Sequence, residues 1–354
     1  MTPRPAHALA VLATVPLAAL ALTGCSGSSG SGQATAPNVV PAAHVVRDAS
    51  LYPLPAGPVQ PEPCPPPPHR PGPPPRPLGR PVVAESNVPR PVTVPTRRPD
   101  LDPIKGTGTW VTVFRGGTID AAGIVRQTAA AGEHSIWIRV GSTHDGFYGS
   151  SVLPALLPLA HAAHITVVGW DFPTLSSPVA DAGRAWAALK YRSASGDRLD
   201  GFSADIETKT EGVFLTAKRV QAYLSRVQRV AYSRPVIATV YRPTDSWWYG
   251  PYPYHAEAPY VDAFAPMVYW SCTEPGTATA QAVSRLRSLG KPVHAIGQAY
   301  DMGDYGGRPG LPTGREIWRF LDVAKRGGAM GASLYLFSQT TAGEWKAMAS
   351  YPWS

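Results

Sequence analysis

Asp200–Gly201–Phe202–Ser203–Ala204–Asp205–Ile206–Glu207 is the stretch of sequence that decides the predicted fold. It follows a helix-like segment and a turn, and its pattern is typical of a short buried strand. Because side chains alternate across a strand, the apolar ones share one face, namely Phe202, Ala204 and Ile206. Asp205 and Glu207 then share the opposite face, at the C-terminal end of the strand. Two carboxylates this close do not both ionise readily, so the pattern predicts an acid–base pair at neutral pH.

Short β-branched or aromatic runs alternate with helical patterns from Ile104 to the end of the 354-residue chain. The predicted strands are 109–114, 135–140, 165–171, 201–207, 236–241, 263–269, 293–299 and 332–337. The predicted helices are 121–131, 152–163, 179–191, 216–231, 277–289, 313–325 and 342–350, and only the connection after Tyr241 lacks a clear one. This order predicts an α/β fold, a (β/α)8 TIM barrel. A doubly wound sheet is the alternative, but 115–118 is not the GxGxxG loop that it would usually show.

The C-terminal ends of barrel strands carry the chemistry of this fold. The predicted strand ends hold carboxylates, amides and large rings, which suit sugars because apolar sugar faces stack on rings while polar groups bond the hydroxyls. The candidate substrate-binding residues are Trp170, Asp171, Tyr241, Met267, Trp270, Gln298, Tyr300 and Phe337. The aromatic loop 247–254 either contacts carbohydrate as well or only packs against the barrel.

The first residues of the chain have the pattern of an export signal. Ala8–Leu22 is a short apolar run, and small residues close it. Leu22–Thr23–Gly24–Cys25 resembles the bacterial lipobox. This resemblance implies that residues 1–24 are a lipoprotein signal peptide and that Cys25 carries lipid at the extracytoplasmic face of the cell membrane. An ordinary signal with an incidental cysteine is the alternative.

Residues 25–103 are predicted to be a disordered, proline-rich tether that leaves 104–354 as the barrel domain. More than half of the chain's 40 prolines lie in this segment. Proline fixes φ and removes an amide donor, so an extended segment without a core is expected. The segment could also be a ligand for a proline-reading partner.

Cys64 and Cys272 could form a disulfide in an exported protein, but nothing in the sequence requires that they meet.

The formal charge of +8 does not indicate a nucleic-acid partner. Lysines and arginines of the barrel segment are spread singly, with no basic block and no interleaved aromatic residues. No Cys/His spacing indicates a zinc site, and nothing requires a cofactor. We expect a monomer whose partners are carbohydrate and, through Cys25, a membrane.

Two short motifs resemble the family-18 glycoside hydrolases, the chitinase-like enzymes. The stretch 200–207 resembles the family signature D-G-x-D-x-D-x-E, and Met267–Val268–Tyr269 resembles its M-x-Y on the sixth barrel strand. The resemblance implies that Glu207 is the general acid and that Asp205 holds the 2-acetamido group of a β-linked glycan. Tyr269 then supports the acetamido oxygen, and no enzyme nucleophile is needed. Peptidoglycan or a chitin-type glycan is the implied substrate.

The sequence departs from this family at three positions. Ser203 replaces the first inner aspartate, and Trp270 follows Tyr269 where an acid or amide is common. The eighth strand lacks the usual tryptophan, for which Phe337 could substitute. These departures also fit a catalytically inactive, glycan-binding barrel lipoprotein.

Three further hypotheses fit parts of the sequence. In one, the protein is an adaptor whose tether is the functional part and whose barrel is a scaffold. In another, the two acids form a buried ion pair with Arg139 or Arg115 that braces the barrel. The acid pair also resembles family-25 lysozymes, but Arg115 stands where those enzymes have an aspartate after the first strand.

Overall fold

The computed structural model describes residues 81–303 and 307–353 and contains nine strands in these ranges. The strands are β1 (Gly106–Val111), β2 (Ser135–Ser142), β3 (Gly146–Phe147), β4 (Thr166–Phe172), β5 (Gly201–Ile206), β6 (Val236–Tyr241), β7 (Ala263–Val268), β8 (His294–Gln298) and β9 (Gly331–Tyr335).

Eight of these strands close into a parallel barrel. Neighbouring strands pair in the order β1-β9-β8-β7-β6-β5-β4-β2, and pairing of β1 with β2 completes the ring. The two-residue β3 only adds an antiparallel pair at the end of β2. The prediction of a (β/α)8 barrel is therefore confirmed.

Helices connect the barrel strands and cover their outer faces. In the described residues they are α1 (Ala121–Ala130), α2 (Leu153–Ala162), α3 (Pro178–Lys190), α4 (Ala217–Val230), α5 (Asp245–Trp248), α6 (Tyr254–Glu257), α7 (Pro275–Arg287), α8 (Gly314–Arg326) and α9 (Ala342–Ser350). Several begin at capping residues: Thr216 accepts a bond from the Arg219 amide, and Thr313 forms a capping box with Glu316. Such caps satisfy backbone amides that have no partner inside the helix.

Two predicted elements differ from the structure. The first strand begins three residues earlier than predicted, at Gly106. Its start was missed because Gly106 and Gly108 have a low strand propensity. Gly108 is required by packing, since a Cβ there would lie 2.3 Å from the Ser135 hydroxyl. The connection after Tyr241, predicted to lack a clear helix, contains the one-turn helices α5 and α6.

Tryptophan side chains fill much of the barrel interior. The rings of Trp110 and Trp137 stack with their centroids 4.8 Å apart, and Trp170 lies 5.6 Å from Trp110. The indole of Trp110 donates to the Ser333 hydroxyl at 2.8 Å, which gives this buried polar group a partner. These rings make the interior a packed core, and Trp110 and Trp170 form the base of its open end.

Residues 81–103, which we call the strap, run along α4 on the outside of the barrel. Val83 bonds the Ser176 carbonyl at 2.9 Å, and the Val92 amide donates to the hydroxyl of Ser225 in α4 at 3.1 Å. Arg97 forms a buried ion pair with Asp262, and the Asp100 amide bonds the Ser233 carbonyl at 2.8 Å. The strap is thus extended, as the prolines predict, but it is packed on the barrel and is not a free tether.

The predicted signal peptide, Cys25, Cys64 and the rest of the tether lie outside the described residues. Cys272 is in a disulfide bond, and its pairing with Cys64 stays a prediction. Among the described helices, none combines the length and the apolar character that crossing a bilayer requires.

We predict that Arg97→Met lowers the free energy of unfolding by about 3 kcal/mol, because Asp262 then stays buried without its cation. Asp262 is only 8% exposed, and it also accepts bonds from the Val236 amide and Gln228. Denaturant unfolding followed by circular dichroism measures the change.

The neighbouring Arg98 is exposed, so Arg98→Met is the matched control and should change stability by no more than about 0.5 kcal/mol. Equal stabilities for the two variants would show that the Arg97–Asp262 ion pair contributes nothing to folding.

Candidate active site

A cavity of about 640 Å³ opens at the C-terminal ends of the barrel strands. Three carboxylates line it: Asp205, Glu207 and Glu211. Seven aromatic rings line it as well: Trp110, Trp170, Tyr241, Trp247, Tyr269, Tyr300 and Tyr335. The remaining lining residues are Thr239, Arg242, Thr244, Met267, Ile296, Met302, Leu336 and Gln339. A cavity of this size with a few polar groups among rings is typical of a small-molecule or saccharide site.

Alternation along β5 and into Glu207, the residue after it, directs two carboxylates to this cavity. Phe202, Ala204 and Ile206 are completely buried in the core outside the barrel, beneath the helices. Ser203, Asp205 and Glu207 take the opposite face. The Ser203 hydroxyl lies 2.8 Å from that of Thr239 on β6, so the serine is satisfied within the barrel.

The electrostatic surroundings of the acid pair favour its protonated forms. Burial raises the pKa of Asp205, and the nearby Arg139 charge offsets part of this effect. Burial also raises the pKa of Glu207 well above its usual range, and the charges of Asp205 and Glu211 raise it further. One Asp205 carboxylate oxygen is buried with no hydrogen-bond partner among the described residues. Because a cation opposes the rise only for Asp205, we infer that Asp205 ionises first and Glu207 keeps its proton.

The sequence also allowed an ion pair between these acids and Arg139 or Arg115, but the described part of the chain contains no such pair. No ion pair there includes Asp205 or Glu207. Arg139 lies over the rings of Phe114 and Trp170, at 4.9 and 5.3 Å from their centroids. Arg115 is exposed, and its closest bond is a long one of 3.5 Å to the Asp145 carbonyl. The acids therefore face the cavity and remain available to a ligand.

Tyr269 belongs to a cluster of three tyrosines on one wall of the cavity. Its ring centroid lies 5.5 Å from that of Tyr300 and 6.0 Å from that of Tyr335. Burial raises the pKa of Tyr269 well above its usual range, and the neighbouring tyrosines and acids add to this rise. Its hydroxyl therefore stays protonated and can donate a hydrogen bond at neutral pH.

The structure brings some of the predicted substrate-binding residues to the cavity and leaves others outside it. Trp170, Tyr241, Met267 and Tyr300 line it together with the acid pair and Tyr269. The roles of these residues stay predictions. Four other candidates lie elsewhere: Asp171, Trp270, Gln298 and Phe337.

Alternation explains the position of Asp171, which follows Trp170 and therefore points to the helices. Its carboxylate pairs with Arg184 at 2.7 Å and accepts a bond from Tyr223 at 3.2 Å. Trp270 lies just beyond β7 and packs against Phe320 of α8, with ring centroids 5.6 Å apart.

The other two outlying candidates have structural partners as well. The Gln298 side chain accepts a bond from the Ser271 amide at 3.0 Å and so holds the loop after β7. Phe337 lies in a short turn after β9 and packs against Trp345 at 5.5 Å. At the end of β9 the cavity is lined by Tyr335, Leu336 and Gln339 instead.

Sequence reasoning missed Glu211, which comes from the loop after β5. Its carboxylate accepts a bond from the Tyr241 hydroxyl at 2.7 Å and another from the Thr208 amide at 3.1 Å. Thr208 and Glu211 form a capping box around a short turn. The spacing of Thr208 and Glu211 was the available signal, because T-x-x-E is the capping-box pattern.

No group of three or more His, Cys, Asp or Glu side chains that could hold a metal ion occurs within residues 81–303 and 307–353.

Comparison with solved structures shows which fold this barrel shares. The spore cortex-lytic enzyme SleL of Bacillus cereus matches with a TM-score of 0.54 and 10% identity, covering 73% of this chain and 75% of that one. A chitinase from Chromobacterium violaceum matches with a TM-score of 0.51 and 12% identity, covering 70% of this chain and 98% of that one. A GH113 β-1,4-mannanase matches with a TM-score of 0.50 and 9% identity, covering 70% of this chain and 98% of that one.

The barrel has the fold of chitinase-like and other glycoside hydrolases. At identities this low, the likeness concerns the fold alone. No protein-family model matches the chain, and no curated protein matches it.

We predict that Glu207→Gln stabilises the folded protein at neutral and alkaline pH. The pKa of Glu207 is higher in the folded than in the unfolded chain, so the unfolded chain loses this proton first as pH rises. The free energy of unfolding of the wild type therefore falls through this pH range, by about 1.4 kcal/mol for each unit of difference.

Denaturant unfolding at several values between about pH 4 and pH 8, the range in which shifted carboxyl groups titrate, measures this effect. The gain from Glu207→Gln should be smallest at the acidic end and largest at the alkaline end. Asp102→Asn, at a carboxylate that is 68% exposed, is the control and should give no such trend. A pH-independent difference for Glu207→Gln would contradict the raised pKa.

Proposed function

We propose that this protein is a glycoside hydrolase that cleaves a β-linked, N-acetylated glycan of the peptidoglycan or chitin type. The observation that carries the proposal is the acid pair, Asp205 and Glu207, inside an aromatic cavity at the catalytic end of the barrel. The motifs at 200–207 and 267–269 support it, since both lie at this cavity. The shared fold of chitinase-like enzymes is consistent with it.

In the proposed reaction, Glu207 donates its proton to the glycosidic oxygen as the bond to the leaving sugar breaks. The 2-acetamido oxygen of the substrate attacks its own anomeric carbon and forms a cyclic oxazolinium ion. The Glu207 carboxylate then takes a proton from water, whose oxygen opens this ring with overall retention. The raised pKa of Glu207 suits the first step, because an acid must still hold its proton near neutral pH.

Asp205 and Tyr269 are proposed to hold the acetamido group during ring closure. The negative charge of Asp205 stabilises the positive charge that develops on the acetamido nitrogen. The Tyr269 hydroxyl donates to the acetamido oxygen. The unpartnered Asp205 oxygen supports this assignment, since a buried carboxylate oxygen without a partner can accept the substrate N–H.

A glycan-binding barrel without turnover is the second candidate, and Ser203 favours it. In the resembling family an aspartate at this position helps to set the charge of the next one. Here a neutral serine bonds Thr239 instead, so no third carboxylate lies behind Asp205 on β5. Such a protein would hold its glycan through the rings and acids of the cavity and release no product.

We also propose that Cys25 anchors the protein to the extracytoplasmic face of the cell membrane. The proposal rests on the lipobox-like sequence Leu22–Thr23–Gly24–Cys25 alone. The barrel would then act on glycan at the cell envelope.

We predict that Glu207→Gln lowers the rate of reducing-end release from a β-linked N-acetylglucosamine or peptidoglycan oligomer by about 10²–10⁴-fold. Gln keeps the shape of Glu207 but has no proton to donate to the leaving oxygen. Binding of the same oligomer, measured by calorimetry, should persist.

Asp102→Asn is the surface control and should retain wild-type turnover. An unchanged rate in Glu207→Gln would remove Glu207 from the mechanism. Wild-type protein that binds the oligomer but releases no reducing ends from about pH 4 to pH 8, where such carboxyls titrate, would establish the glycan-binding alternative.

We predict that Cys25→Ser moves the protein from the membrane fraction to the soluble extracytoplasmic fraction and abolishes incorporation of radiolabelled palmitate. Cys64→Ser, which changes the next cysteine in the chain, is the matched control and should leave both readouts unchanged. Labelling that persists in Cys25→Ser would place the anchor elsewhere.

A further inference from the structure

Arg242 lines the same cavity as the acid pair and has no carboxylate partner among the described residues. It follows β6 directly, so its guanidinium lies on the wall that α5 also borders through Thr244 and Trp247. One of its terminal nitrogens is buried and bonds no atom of the residues that the structure describes. The other reaches only the Thr273 hydroxyl, at a long 3.4 Å.

Four other arginines with partly or fully buried side chains are compensated. Arg97 pairs with Asp262, and Arg184 pairs with Asp171 and Asp181 at 2.7 and 2.9 Å. Arg219 pairs with Glu85 at 2.7 Å. Arg139 has no ion pair but lies over two aromatic rings.

Arg242 differs from these because, within the described residues, only the long bond to Thr273 offsets its loss of water. Burial lowers the pKa of its guanidinium, and no neighbouring acid counters that effect. None of the three cavity carboxylates forms an ion pair with Arg242. A partly buried cation with unused donors is unfavourable in the empty protein and gains most from an anion that enters the cavity.

We propose that Arg242 forms a subsite for a carboxylate that the glycan itself carries. The inference rests on the proposed function, since it names the class of N-acetylated glycan that the cavity selects. A planar guanidinium whose donors are largely unused matches the two oxygens of a carboxylate. Peptidoglycan-type glycan, whose muramic acid bears a lactyl group and a peptide stem, supplies such an anion, whereas a chitin-type glycan does not.

A matched pair of saccharides tests the subsite. The first is a peptide-free tetrasaccharide that alternates N-acetylglucosamine and N-acetylmuramic acid, with free lactyl carboxylates. The second is the same tetrasaccharide with each carboxylate converted to a methylamide. A third, with intact peptide stems, separates the two sources, because there the lactyl group is amidated and the carboxylates belong to the peptide.

The wild type should favour a carboxylate-bearing saccharide over the methylamide by about tenfold or more in kcat/KM and in affinity. Arg242→Gln should bring this ratio close to one. Arg242→Lys keeps the charge but not the fork, so it should keep part of the preference. Arg115→Gln removes an exposed arginine outside the cavity and should leave the ratio unchanged.

A wild-type ratio near one for both carboxylate-bearing saccharides would overturn the subsite, and so would a ratio that persists in Arg242→Gln. If Arg242→Gln does not fold, the ratio in Arg242→Lys decides, since an unchanged preference there contradicts a forked contact. Calorimetric affinities keep the two proposals apart. A binding preference without hydrolysis would leave the subsite standing and remove the hydrolase, and hydrolysis without a preference would do the reverse.

Discussion

A closed parallel barrel gives each side chain of a strand only two destinations, the interior or the layer beneath the helices. This constraint decides the character of the whole site. Along β5 and at the residue after it, this constraint sends Phe202, Ala204 and Ile206 to the outer core and Ser203, Asp205 and Glu207 inward. Tryptophans already fill much of the interior, so the last inward positions of the strands are the ones that face open space. The two acids lie at those positions.

The same constraint sets the electrostatics of the cavity. Carboxylates that face a largely apolar interior lose water, and their pKa values rise for that reason first. Arg139 opposes the rise at Asp205 and not at Glu207, which makes the two acids unequal. A buried acid that must hold its proton destabilises the fold once the pH exceeds its usual range, so a site built for proton transfer reduces stability near neutral pH.

Alternation and helix capping made most of the fold and part of the site predictable from sequence. Seven of the eight barrel strands begin within one residue of their predicted positions, and the acid pair lies on the predicted face.

The prediction was weaker where alternation stops. Asp171 and Trp170 are neighbours, and only one of them can point inward. Trp270, Gln298 and Phe337 lie at or beyond strand ends, where loop geometry decides direction. Glu211 and Arg242 were missed because loop geometry places both of them, although the T-x-x-E spacing was an available signal for Glu211.

The strap could not be predicted, because a proline-rich composition describes an extended backbone and says nothing about what the backbone lies against. Its path has a geometric consequence. Val83 bonds the loop between β4 and α3, at the end of the barrel where the cavity opens, whereas Asp100 bonds Ser233 at the opposite end. The polypeptide therefore descends the full height of the barrel before β1 starts. Along the polypeptide, the described residues nearest to any upstream attachment point are therefore those at the rim of the cavity.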